Sequence, residues 1–223
     1  MRVVIFGATG MVGQGVLREC LLDTRVTEVL SIGRRATGQR HAKLRDVVVP
    51  DLFDLIGVDV GGLQACFFCL GVSSAGMSEA AYRRVTYDLT VSVAGTLAAV
   101  NPSMTFVYVS GAGTDSTERG RTMWARVKGA AENAVLALPF RGYAMRPAFI
   151  QPRHGITSRT SWYRLIYMAV RPLAPLMLRL PRFATSTDRL GQAMIQLALH
   201  GSPKRVLEST DINALAAAYA AAA

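Results

Sequence analysis

The chain has 223 residues, 51% of them apolar and 18% charged, with three cysteines. That length buries a sizeable core, the apolar share excludes a disordered chain, and so few cysteines exclude a disulfide scaffold. Twenty-five Lys and Arg against 15 Asp and Glu leave a net charge of +10, which keeps a membrane surface, a nucleic acid and an anionic ligand open as partners.

Short β-branched and aromatic runs alternate with longer stretches of helical periodicity. The expected strands are Arg2–Phe6, Val26–Ile32, Asp46–Val49, Gln64–Leu70, Met104–Ser110 and Gly142–Arg146. The expected helices are Met11–Asp23, Glu79–Val100, Met123–Leu136, Ser161–Leu180 and Ser186–His200, with a last one near Asp211–Tyr219. This alternation implies an α/β fold, a doubly wound parallel sheet covered on both faces. No linker divides the chain, so residues 1–223 read as one domain. After Pro147 the strand rhythm fades, and residues from about 150 onward are expected to form a small helical cap at the sheet's C-terminal edge, where such folds bind ligands.

The run Val3–Phe6 stops at Gly7, too short for a secretory signal. The apolar stretch Trp162–Leu180 carries Arg164, Arg171 and Arg179 and two prolines, Pro172 and Pro175. A spanning helix needs about 20 mostly uncharged residues. The stretch therefore reads as an amphipathic basic helix, packed on its own domain, on a second subunit or on a membrane surface. Cys66 and Cys69 form a C-x-x-C on a strand, where residues three apart point to opposite faces, so neither a redox nor a metal role is expected. Free thiols and no signal point to the cytoplasm. Histidines are scattered and acids unclustered, so no metal site is expected. Eight of the last ten residues are alanine and are assigned no function.

The strongest local signal is Gly7-Ala8-Thr9-Gly10-Met11-Val12-Gly13, between the first strand and an apolar helix. Gly7 allows a sharp turn, Gly10 lets backbone N–H groups approach a pyrophosphate, and Gly13 allows close packing of helix on strand. The helix N-terminus adds free donors and a positive dipole end, so a dinucleotide is expected along Gly7, Thr9, Gly10, Met11, Val12 and Gly13. The second strand ends in Ile32-Gly33-Arg34-Arg35, without the acidic residue that bonds a ribose 2′-hydroxyl. Two guanidinium groups suit a 2′-phosphate, and NADP is expected rather than NAD. Asp51 and Leu52, past the third strand, border the adenine by position. Leu70, Gly71 and Val72 end the fourth strand beside the cofactor's ribose. Ser110 ends the fifth, placed to bond a carbonyl or the nicotinamide.

Together these residues resemble the short-chain dehydrogenase/reductase superfamily, in particular its atypical, NmrA-like members related to the Tat-interacting oxidoreductase. The resemblance covers roughly residues 1 to 150. It rests on the glycine loop, Ile32–Arg35, Cys69-Leu70-Gly71, Val109-Ser110-Gly111, the V-K-G-x-x-E segment Val127–Glu132, and Arg146-Pro147. It implies an NAD(P)-binding Rossmann fold and an oxidoreductase acting on a carbonyl, alcohol or sugar-like substrate. It also implies a Ser at Ser110, a Lys at Lys128 that holds the nicotinamide ribose, and a nicotinamide bordered by Pro147 and Phe149. The family's catalytic tyrosine, four residues before the lysine, falls on Trp124, and an indole N–H is no acid near neutral pH.

His154, in the loop that borders the nicotinamide in this family, is a candidate replacement acid, as are Tyr82, Tyr108, Tyr163 and Tyr167. Two functions stay open. One is an NADP-dependent oxidoreductase using Ser110, Lys128 and a proton from water, His154 or the cap. The other is an NADP(H)-binding regulatory or assembly protein with little turnover. The expected partners are a small-molecule substrate, at most a second copy of the chain and, as a weaker third reading, a membrane surface met through Trp162–Leu180. The arginines form no run and no recognition-helix spacing, so no specific nucleic acid is expected.

Overall fold

A computed structural model describes residues 1–156 and 182–222. The expected helix Ser161–Leu180, with Tyr163 and Tyr167, lies outside the described residues.

The chain alternates β1 (Arg2–Phe6), α1 (Met11–Leu22), β2 (Glu28–Gly33), β3 (Leu44–Val48) and β4 (Ala65–Phe68). There follow α2 (Glu79–Arg83), a π-helical turn at Arg84–Asp88, α3 (Leu89–Val100), β5 (Thr105–Val109), α4 (Met123–Ala137) and β6 (Arg141–Arg146). The chain then makes β7 (Phe149–Gln151), β8 (Ala184–Ser186), α5 (Thr187–His200), β9 (Val206–Glu208) and α6 (Ser209–Ala221). All seven strands of the main sheet are parallel, in the order β3-β2-β1-β4-β5-β6-β9, and β7 pairs with β8 in a separate parallel ribbon.

Alternation along each strand builds two cores. Val3, Ile5, Val29, Phe67, Val107 and Met145 point to one face, under α1, α5 and α6 through Val16, Leu17, Leu190, Met194 and Ile212. Val4, Phe6, Leu30, Ile32, Phe68, Phe106 and Tyr108 point to the other, under α3 and α4 through Val93, Leu97, Ala131 and Val135. The Phe68 ring bridges Phe6, Phe106 and Tyr108 at centroid distances of 5.7, 5.8 and 6.0 Å. Cys66 belongs to the second core and Cys69 packs against the first, so the two thiols do part to opposite faces.

The region beyond residue 182 departs from the expected cap. β9 extends the sheet beside β6, and α5 lies parallel to α1 on the first face. The contact is close because glycine is used on both helices: a Cβ at Gly15 would come within 2.5 Å of Thr187, and one at Gly191 within 2.8 Å of Glu19. Residues 182–222 thus complete the sheet and its helical layer rather than stand above it; the rest of the expected cap falls in 157–181, outside the described residues. The alanine-rich tail is part of this layer. A reciprocal cap between Glu208 and Asp211 opens α6, which buries Ile212 and Ala216 and ends with the Tyr219 hydroxyl 2.9 Å from Asp23 at the end of α1.

Candidate functional site

β1 is hydrogen-bonded to both β2 and β4, so the chain leaves the sheet's centre in opposite directions and a crevice opens past the C-terminal ends of β1 and β4. The glycine loop fills its floor. Gly7 has φ +84°, and a Cβ there would stand 2.8 Å from the Cys69 carbonyl group. At Gly13 a Cβ would stand 2.0 Å from the Gly7 carbonyl oxygen. Gly10 N–H donates to Gly7 (2.9 Å), and α1 starts from Gly10 with no side-chain cap and no acid in its first turn. The first-turn N–H groups, from Met11 onward, are therefore free to meet an anion. This bare, electropositive helix start fits a dinucleotide pyrophosphate.

On the β2 side, Arg34 and Arg35 are exposed and pair with no acid among the described residues. Their loop is held from below: Asp46 accepts bonds from the Thr37 N–H (3.0 Å) and hydroxyl (2.8 Å). Asp51 lies at the end of β3 and accepts from Phe53 N–H at 3.0 Å. It borders a shallow cleft of about 260 Å³, completed by Phe53, Arg84 and Asp88. The π turn supplies the last two, with the Arg84 guanidinium 5.8 Å from the Phe53 ring. The sequence reading missed Phe53, Arg84 and Asp88, because a π turn inside a helical pattern has no periodic signature. Leu52 is corrected: it is buried in the second core and has no side chain to offer an adenine. Leu70 is half-buried, and Gly71 and Val72 are exposed beside the glycine loop.

At the ends of β5 and β6 the structure brings Ser110, Lys128 and Trp124 together. Trp124 and Lys128 are one turn apart on one face of α4. The Trp124 ring lies against Gly113, where a Cβ would come within 3.4 Å of it. The Lys128 ammonium donates to the Ser110 carbonyl. Burial lowers its pKa to about 8, against an opposing pull from Glu132. The Ser110 side chain departs from expectation. Its hydroxyl donates to the buried Glu132 carboxylate and lies 3.0 Å from the Met145 carbonyl, so it points into the protein rather than toward a substrate oxygen. Glu132 is fully buried and is gripped by Arg146, which also reaches Ser116 and, at 3.5 Å, Glu208. This network ties the ends of β5, β6 and β9 to α4.

Pro147 accepts from Ala112 N–H at 3.0 Å, joining the loops after β6 and β5, and Phe149 begins β7. His154 lies elsewhere, with a left-handed backbone (φ 57°) and Nε2 3.6 Å from Asp188. Arg153 shares that carboxylate at 3.4 Å. Burial alone would raise the Asp188 pKa, but the Ser186 hydroxyl bond and Arg153 hold it below the usual carboxylate range. Asp188 was not foreseen; it belongs to α5, beside the second turn of α1. No contact joins His154 to Ser110 or Lys128 among the described residues. Tyr108 is buried in the core, where burial pushes its hydroxyl's pKa up.

No family model matches the chain, and no curated protein does. Solved structures match over nearly its whole length. MoeE5 in complex with UDP-glucuronic acid and NAD superposes with a TM-score of 0.68 at 19% identity, over 93% of this chain and 75% of that one. The Bordetella bronchiseptica enzyme WbmF in complex with NAD+ gives 0.67 at 13%, over 96% and 76%. A short-chain dehydrogenase/reductase from Saccharomyces cerevisiae gives 0.65 at 16%, over 97% and 98%.

Proposed function

We propose that the chain, which shares its Rossmann fold with short-chain dehydrogenase/reductases and their NAD-bound relatives, is a nicotinamide-dinucleotide oxidoreductase of that type, preferring NADP(H) and acting on a carbonyl, alcohol or sugar-like substrate. The observation that carries this reading is the bare start of α1, whose first-turn N–H groups no side chain caps, and a loop that the missing side chains of Gly7 and Gly13 let fold tightly beneath it. The fold relatives support a dinucleotide, and those solved with one hold NAD. The NADP preference rests on Arg34 and Arg35. Neither forms an ion pair among the described residues, the sequence at the tip of β2 carries no acid, and a guanidinium pair binds a phosphate by charge-assisted bonds. The bound dinucleotide would supply or accept a hydride. The chain's residues would hold its pyrophosphate at Gly10–Gly13, its 2′-phosphate at Arg34 and Arg35, and its nicotinamide ribose at Lys128, with Pro147 and Phe149 along the nicotinamide.

Replacing Arg34 and Arg35 together with Ala is expected to weaken NADPH binding at least tenfold, about 1.4 kcal/mol, and NADH binding less than threefold, by fluorescence titration. Equal losses would contradict the 2′-phosphate assignment. A second reading, a dinucleotide-binding regulatory protein with little turnover, is favoured by Trp124 at the tyrosine position. It predicts NADPH binding with no carbonyl-dependent oxidation.

A further inference from the structure

We propose that Lys128 itself is the proton donor and acceptor of this site, in the role that the resemblance gives to a tyrosine one helical turn earlier. The inference rests on the oxidoreductase reading above. Three observations lead to it. Trp124 occupies the tyrosine position with its ring against Gly113, and an indole N–H donates a bond without titrating. The Ser110 hydroxyl is committed inward to Glu132. Lys128 therefore presents the ionisable hydrogens at this place. One of its three N–H bonds goes to the Ser110 carbonyl. Its Nζ stands 4.0 Å from the point where a side chain on Gly111 would begin, and Gly111 has none to lie against the ammonium.

The surroundings suit proton exchange. β5 brings no charged side chain. Arg146 on β6 is engaged with Glu132, and Glu79 on α2 with Arg126. Asp88, at the end of the π turn, lies 4.0 Å from Arg83. Among the described residues Glu132 is left as the charge that acts on Lys128, and burial outweighs it to bring the ammonium to about 8. Below that pH Lys128 can donate; above it, accept. The choice of cation is itself informative: the chain has 22 arginines and only three lysines, Lys43, Lys128 and Lys204. Arginine cannot deprotonate in a protein, so the titratable cation stands where a proton must move.

In the reducing direction an N–H bond of the ammonium breaks and an O–H bond forms on the substrate oxygen. The carbonyl carbon takes its hydride from the reduced nicotinamide dinucleotide. The neutral amine recovers its proton from water, and oxidation runs the same transfers in reverse.

The test uses the full chain labelled with ¹³Cε-lysine, NADPH, and 4-nitrobenzaldehyde as carbonyl probe. Of three lysine resonances, the one missing in Lys128→Arg is expected to titrate near pH 8. Aldehyde kcat/KM in the wild type should fall about tenfold per pH unit above that value. It should drop about a hundredfold or more in both Lys128→Arg and Lys128→Met, each measured at saturating NADPH. A Lys128 resonance titrating at the free-lysine value of about 10.4, either variant retaining the rate, or NADPH binding without aldehyde reduction at any pH would overturn the inference. Failure to bind NADPH would instead defeat the oxidoreductase reading on which it rests.

Discussion

Glu132 has no exposed surface, and its carboxyl group is held by Arg146 and the Ser110 hydroxyl, with Lys128 as a further positive charge acting on it. Breaking one side of a buried pair leaves the other charge without compensation, a loss of about 3–5 kcal/mol. Glu132→Gln is therefore expected to lower urea-unfolding stability by about that amount, reduced by whatever Glu208 offers Arg146 from 3.5 Å. A loss under about 1 kcal/mol, the level of an exposed pair, would show that the network is peripheral. The residue types were legible in the sequence, since Ser110, Lys128, Glu132 and Arg146 all lie in quoted segments. Their partnership was not. Ser110, Glu132 and Arg146 come from β5, α4 and β6, and only the sheet order brings them together. This is why Ser110 was expected to face a substrate when its hydroxyl faces Glu132.

At the scale of elements, the six strands and five of the helices with strong periodicity were legible to within a few residues. β7, β8 and β9 were not: three residues each is too short for alternation to show. The π turn was hidden for another reason. Glu79–Val100 reads as one helix and runs as one, with a single widened turn at Arg84–Asp88 inside it; such turns are frequent at functional sites. The last helix shows how a low-information sequence can still be fixed in place. Tyr219 donates to Asp23, whose carboxyl burial would raise; bonds from Arg25 and Tyr219 nevertheless hold it below the usual range. Tyr219→Phe removes one hydrogen bond to a charged group and is expected to cost about 1–2 kcal/mol. In a chain of this length that lowers Tm by roughly 2–8 °C, by calorimetry at neutral pH. An unchanged Tm would mean that α6 does not stabilise the end of α1. The contribution should also fade on acidification, because a carboxylate with a lowered folded-state pKa gives stability that is lost as pH falls through that pKa.

For the whole molecule, the high apolar share is accounted for by a sheet buried on both faces, and among the described residues no helix is long and apolar enough to cross a membrane. Among the described residues Arg2, Arg25, Arg126, Arg146 and Arg153 are paired with acids, whereas Arg34 and Arg35, like Arg40, Arg45, Arg119 and Arg121, form no ion pair; Arg34 and Arg35 are the two that stand at the C-terminal edge where the glycine loop opens. The fold was legible because a parallel sheet imposes its rhythm on the sequence. The substrate was not, since it is set by side chains that meet only above the finished sheet. The central claim is that this edge binds a 2′-phosphorylated nicotinamide dinucleotide. Equilibrium titration of the wild-type chain with NADPH and NADH tests it most directly: the account predicts saturable binding of both, with NADPH tighter by about tenfold or more, and it is contradicted if neither binds or if NADH binds as tightly as NADPH.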